Sequence, residues 1–104
     1  MNYGFIKVAS AVPSVKVADC KYNVEQIEQQ IILAEGQGVE IIVFPELSLT
    51  GYTCQDLFRQ NLLLETTESA MLMLLDFTRQ LNIISIVGLP IAVGDLLLNC
   101  AAII

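Results

Sequence analysis

Val39-Glu40-Ile41-Ile42-Val43-Phe44-Pro45-Glu46 is the stretch on which the fold class turns. Ile41 to Phe44 is an apolar, mostly β-branched run without polar alternation, the pattern of a strand buried on both faces of a parallel sheet. Pro45 has no N–H to give to a sheet ladder, so the strand should stop there and release Glu46 at its carboxyl end. In open α/β sheets that edge is where ligands bind. A carboxylate leaving an apolar strand loses hydration, which raises its pKa and makes it a candidate general base. The plainer reading, a strand-terminal acid pointing to solvent, is the one that position alone favours.

The flanking segments extend the pattern. Gly4 to Ala11 suits an inner strand ending before Pro13, and Val12 to Tyr22 is a loop broken by Pro13 and Asp19. Asn23 can cap a helix, with Gln26 three residues on to return the bond. Val24, Ile27, Ile31 and Ala34 then share one face, and Gly36 or Gly38 stops the helix. Residues 4 to 44 therefore read as one βαβ unit with parallel strands and a right-handed crossover. Beyond Tyr52, Gln55 to Gln60 suits a short helical turn. Thr66 or Thr67 caps a longer helix to about Leu81, with Ala70, Leu74, Phe77 and Leu81 on one side, and Asn82 ends it. Ile83 to Leu89 is another buried strand, and Gly94-Asp95 fits a two-residue hairpin turn into the strand that carries Asn99 and Cys100. Two helices and four strands make a layered α/β sheet, with one sheet face left to be covered by something else.

Phe44-Pro45-Glu46-Leu47 followed by Gly51-Tyr52 resembles the first catalytic motif of the nitrilase (carbon–nitrogen hydrolase) superfamily. The continuation Thr53-Cys54-Gln55-Asp56-Leu57-Phe58 resembles, within it, the glutaminase domain of glutamine-dependent NAD synthetases. The order of strands and helices along the whole chain is similar too. The resemblance implies the N-terminal portion of a nitrilase-like αββα sandwich, with residues 1–104 ending before their single hydrolase domain does. It implies a Glu–Lys–Cys triad with Glu46 as the Glu. The Lys and the nucleophilic Cys lie downstream, so the 104 residues alone should be inactive. It further implies glutamine as substrate, ammonia passed to a second domain that uses ATP and Mg to amidate deamido-NAD, and a homo-oligomer. Two rival functions stand beside it: a stand-alone amidase, carbamoylase or nitrilase of the same superfamily, and a non-catalytic α/β interaction module.

Composition is compatible with a piece of a larger protein. Apolar residues make up 55% and charged residues 15%, against about 45–50% and about 25% in ordinary globular chains. That is little polar surface for a free-standing small domain. A net charge of −6 with five scattered Lys and Arg argues against a nucleic-acid partner. No apolar run reaches the roughly 18 residues that a membrane span needs. No basic segment precedes a long apolar one at the start, as a secretory leader would require. Three cysteines without pairing-like spacing fit a reducing cytoplasm.

The chain has no histidine, which excludes Ser–His–Asp and Cys–His catalysis within it and removes the commonest metal ligand. Cys20, Cys54 and Cys100 form no CxxC pair and suggest no zinc site. Cys100 reads as inert core, and Cys20 sits in a loop without a signal. Lys7, Lys16 and Lys21 all precede Glu46, whereas the superfamily's lysine follows its Glu, so none is carried over. Tyr52 either borders a substrate pocket through its hydroxyl or sets a turn and packs its ring. Asn99 reads as satisfying local backbone groups. Cys54, eight residues after Glu46, is the tempting nucleophile, but a thiol packed in a loop is the better reading. Cys54→Ser in the full-length protein is therefore expected to leave amide hydrolysis within a few fold. Complete loss, together with a covalent adduct trapped on Cys54, would overturn that reading.

Overall fold

The computed structural model describes residues 4–17, 19–45, 48–50, 61–94 and 96–104. The elements run β1 (Val8–Ser10), α1 (Cys20–Gly36), β2 (Ile41–Val43), α2 (Asn61–Thr78), β3 (Ile84–Val93) and β4 (Leu96–Ile103). β1, β2 and β3 pair parallel, with Val8 opposite Ile41 and Ile41 opposite Ile84. β4 returns antiparallel on β3, so the order across the sheet is β1-β2-β3-β4. Both parallel steps advance in the same direction, and right-handed crossovers then place both helices on one face. Burial agrees: Ile27 and Ile31 of α1 and Leu74 of α2 share one core with Ile42 of β2 and Val87 of β3.

α1 buries the expected stripe, Val24, Ile27, Ile31 and Ala34, but it starts earlier than the spacing suggested. Asp19 is the cap, its Oδ1 accepting the Tyr22 N–H at 3.1 Å. The Asn23–Gln26 capping box does not form, because Asn23 lies a turn inside the helix, fully buried, with its amide turned to partners outside α1. Cys20 opens the helix instead of lying in a loop, and its buried Sγ sits 3.5 Å from Oγ1 of Thr67 on α2. The helix ends at Gly36, and Gly38 takes φ +79° to turn the chain toward β2, a conformation glycine adopts without steric cost.

α2 also starts upstream of the expected cap. Thr66 and Thr67 are interior to it, and Thr67 is buried against α1, so a tertiary contact overrides the local preference of threonine for a helix start. Ala70 and Leu74 are buried as expected, with Phe77 and Leu81 packed beside them. The helix closes at Thr78, before Asn82. The hairpin that follows pairs Val93 with Leu96, and Gly94 has φ +59°, the positive φ that primed two-residue turns need at their first position.

β1 is shorter than the run Gly4 to Ala11 suggested, and it is an edge strand of the described sheet, not an inner one. Its ladder to β2 covers only Val8 to Ser10, and Phe5 and Ile6 are exposed. The sheet face away from the helices is apolar as well. The register aligns Val8, Ile41 and Ile84 in one row and Val43, Ile86 and Ile103 in the next. Val8, Ile84 and Ile103 are 63%, 47% and 72% exposed. Residues 1–104 alone are therefore expected to self-associate, since exposed apolar patches beyond a few hundred Å² are rare on soluble monomers. A sharp, concentration-independent monomer peak in size-exclusion chromatography, with cooperative unfolding, would contradict this.

On the helix-facing side, Ser85 stands beside Ile42, fully buried, and its Oγ has no hydrogen-bond partner among the described residues. A buried unpaired hydroxyl costs about 1–3 kcal/mol. Ser85→Ala is expected to be neutral or to stabilise the protein by up to about 1–2 kcal/mol, read from the urea midpoint at unchanged slope. A loss of more than about 1 kcal/mol would show that the hydroxyl is bonded.

Candidate functional site

The three parallel strands end at a common edge, and the segments leaving β1 and β2 meet there. Ala11 N–H donates to Val43 C=O at 3.0 Å and Phe44 N–H to Ile86 C=O at 2.9 Å, which carries the ladder to the proline. Pro45 then ends it, as its missing N–H requires. The candidate base Glu46 lies outside the described residues, and so do Tyr52 and Cys54. The segment just beyond Glu46 is described and is deeply buried: Ser48, Leu49 and Thr50 are 2%, 0% and 0% exposed.

That segment is held from two directions. From the sheet, Leu49 N–H donates to Gly88 C=O at 3.2 Å. Ser48 Oγ bridges the same glycine, accepting from its N–H at 3.3 Å and donating to its C=O at 3.5 Å. From the helix layer, Asn23 Nδ2 donates to Leu49 C=O at 2.8 Å. The other Nδ2 hydrogen goes to Lys16 C=O at 2.8 Å, and Lys16 N–H returns to Asn23 Oδ1 at 2.7 Å. Two carbonyls and one N–H around the amide fix which end is oxygen and which nitrogen. Asn23 thus ties the loop after β1 to the loop after β2.

Sequence reasoning placed Glu46 at this edge but missed Asn23, Ser48 and Gly88. A signal existed for Asn23: it sits four residues before Ile27 and eight before Ile31, on the apolar stripe. A polar side chain on such a stripe must find partners in the interior. For Ser48 and Gly88 no signal existed, because their contact joins positions far apart in sequence.

The other candidates fall elsewhere. Lys7 Nζ donates to Gln37 C=O at 2.7 Å, and Lys16 Nζ lies 4.3 Å from the Tyr22 ring centre. Cys100 is half-buried on β4, and Asn99 is exposed opposite Pro90. Glu28 on α1 has its pKa raised by partial burial and, second, by the charge of Glu25, away from this edge. A cavity of about 520 Å³ opens between α2 and β3, walled by Leu64, Met71, Leu89 and Ile91 with Glu65 and Glu68. Among the described residues no cluster of His, Cys, Asp and Glu could hold a metal ion, and no helix is long and apolar enough to cross a membrane.

At this edge the described backbone of residues 48–50 is fixed from two sides, and the chain as a whole is similar to known proteins. The carbon-nitrogen hydrolase family profile matches residues 7–104. A glutamine-dependent NAD(+) synthetase of Mycobacterium leprae is 31% identical over 103 residues, 99% of this chain and 15% of that protein. The crystal structure of a glutamine-dependent NAD(+) synthetase from Cytophaga hutchinsonii superposes with a TM-score of 0.88 at 29% identity, over 95% of this chain and 17% of that one. An amidase from Nesterenkonia shares the fold, with a TM-score of 0.72 at 24% identity over 82% of this chain and 32% of that one. The chain thus spans about 15% of the length of the curated relative it matches.

Proposed function

The chain belongs to the carbon-nitrogen hydrolase family, and we propose that it forms the N-terminal part of a glutaminase domain in a glutamine-dependent NAD synthetase. The observation that carries the reading is the doubly anchored segment beside Glu46 at the carboxyl edge of the parallel strands. Likeness to the two synthetases over nearly the whole chain supports the substrate assignment, and the amidase matches less of it. The rest of the domain would cover the apolar sheet face that carries Val8, Ile84 and Ile103.

In this scheme Glu46 takes the proton from a cysteine thiol supplied by the rest of the domain. The thiolate adds to the glutamine side-chain amide, and a lysine, also from outside these residues, stabilises the tetrahedral oxyanion. The C–N bond breaks and protonated Glu46 gives its proton to the departing ammonia. Glu46 then takes a proton from water, which attacks the thioester, releases glutamate and restores the thiol. Ammonia passes to a second domain, where ATP and Mg support amidation of deamido-NAD.

In the complete enzyme, Glu46→Gln keeps the side-chain volume and removes the base. Glutamine-driven turnover is expected to fall by about two or more orders of magnitude. Synthesis fed by free ammonia should persist, because it bypasses the glutaminase site. Near-normal glutamine-driven turnover in this variant would remove Glu46 from the mechanism.

A further inference from the structure

We propose that Asn23 and Ser48 are positioning residues for Glu46, setting its carboxylate through the backbone of residues 48–50. The inference rests on the reading of Glu46 as the base, and it explains contacts that helix and sheet formation do not demand. α1 does not need an asparagine at position 23. Asp19 already caps it, and Val24, Ile27 and Ile31, each fully buried, hold it in the core. Yet Asn23 is itself fully buried, with both amide hydrogens and its oxygen engaged outside its own helix.

The geometry directs that amide at one backbone unit in particular. Leu49 is gripped at both ends, its C=O by Asn23 from the helix layer and its N–H by Gly88 from the sheet. Ser48 adds a bridge to both polar groups of Gly88. On the upstream side, Phe44 is tied to Ile86. Only Pro45, Glu46 and Leu47 lie between the two clamps, and the Pro45 ring fixes its own φ. The clamps thus flank the proposed base in sequence, one residue before Pro45 and one after Leu47. A misplacement of about 1 Å in such a group can cost roughly 100-fold in rate.

Asn23 meets a chemical demand that few side chains satisfy. Two carbonyls and one N–H, of which the Leu49 carbonyl is met in a buried bond and the Lys16 groups in part-buried ones, require two donors and one acceptor in a single planar group. Aspartate has the same shape but presents only acceptors when ionised, and it would leave the carbonyls of Lys16 and Leu49 facing a negative charge. Asn23→Asp is thus an isosteric change that releases residues 48–50 from α1 while keeping the Lys16 N–H bond. Ser48→Ala releases the same segment from the sheet side.

The test uses the complete enzyme and reads steady-state glutamine hydrolysis, with cooperative thermal unfolding as a check on folding. Asn23→Asp is expected to lower kcat by about 10- to 100-fold with KM changed less than about threefold, the pattern of a misaligned base rather than lost uniform binding. Ser48→Ala should lower kcat by about 3- to 10-fold. Placed on a Glu46→Gln background, either change should add less than about twofold, because nothing remains to be positioned. Full kcat in both single variants, with Glu46→Gln inactive, would overturn the proposal. So would losses that multiply on the Glu46→Gln background, since they would mark a structural role independent of the base. If Asn23→Asp does not fold, Ser48→Ala carries the same decision. Activity retained by Glu46→Gln itself would instead overturn the assignment of the base, a distinct result.

Discussion

A parallel strand cannot be followed by its neighbour through a tight turn; the chain must travel back the full length of the sheet before it can pair again. In this chain that constraint operates twice, from β1 to β2 through α1 and from β2 to β3 toward α2. Both crossovers advance the same way, and with the right-handed connection that parallel strands favour both helices fall on one face. Three consequences follow together. The helical face becomes the core, the opposite face stays apolar and uncovered by the described residues, and the carboxyl ends of three strands collect at one edge.

That edge is also where the fold has most polar backbone to account for. Loops that leave buried strands carry N–H and C=O groups with no ladder to join, and each costs free energy if left unpaired. Here long-range partners satisfy them: Asn23 from the helix layer, and Gly88 with Ser48 from the sheet. The same bonds that meet the backbone's requirement also fix its path beside Glu46. These bonds satisfy the Asn23 amide, which is why a buried asparagine is tolerated in a stripe otherwise made of Val24, Ile27 and Ile31.

What could be read from the chain in advance was whatever is local. The α1 and α2 stripes follow from a period of 3.6 residues, the β2 strand from an apolar run stopped by Pro45, and the hairpin from Gly94 with its positive φ. The fold class followed from those pieces and handedness. Helix starts were misread at both Asn23 and Thr66–Thr67, for one reason. A capping preference is a weak local bias, and burial between elements far apart in sequence outweighs it. β1 was read as inner because apolar residues look alike whether the partner lies within the chain or outside it. Of the candidate site, the motif pointed to Glu46, which lies outside the described residues, whereas the contacts at residues 16, 23, 48, 49 and 88 join positions that local patterns do not relate.

The dependence runs further than the edge itself. Asn23 can hold Leu49 only as firmly as α1 is held, and the first turn of α1 is seated by Cys20 against Thr67 of α2. α2 in turn is fixed by Ala70 and Leu74 in the shared core, which β3 completes with Val87 and Leu89 before presenting Gly88 to Ser48. Both arms of the clamp therefore start from one hydrophobic core and close on one short segment. The helix-side arm depends on the contact between α1 and α2, and the sheet-side arm on β3. Proton transfer depends on the direction of a general base as well as its distance. Core packing thus has a direct structural route to residues 48–50, next to the proposed base.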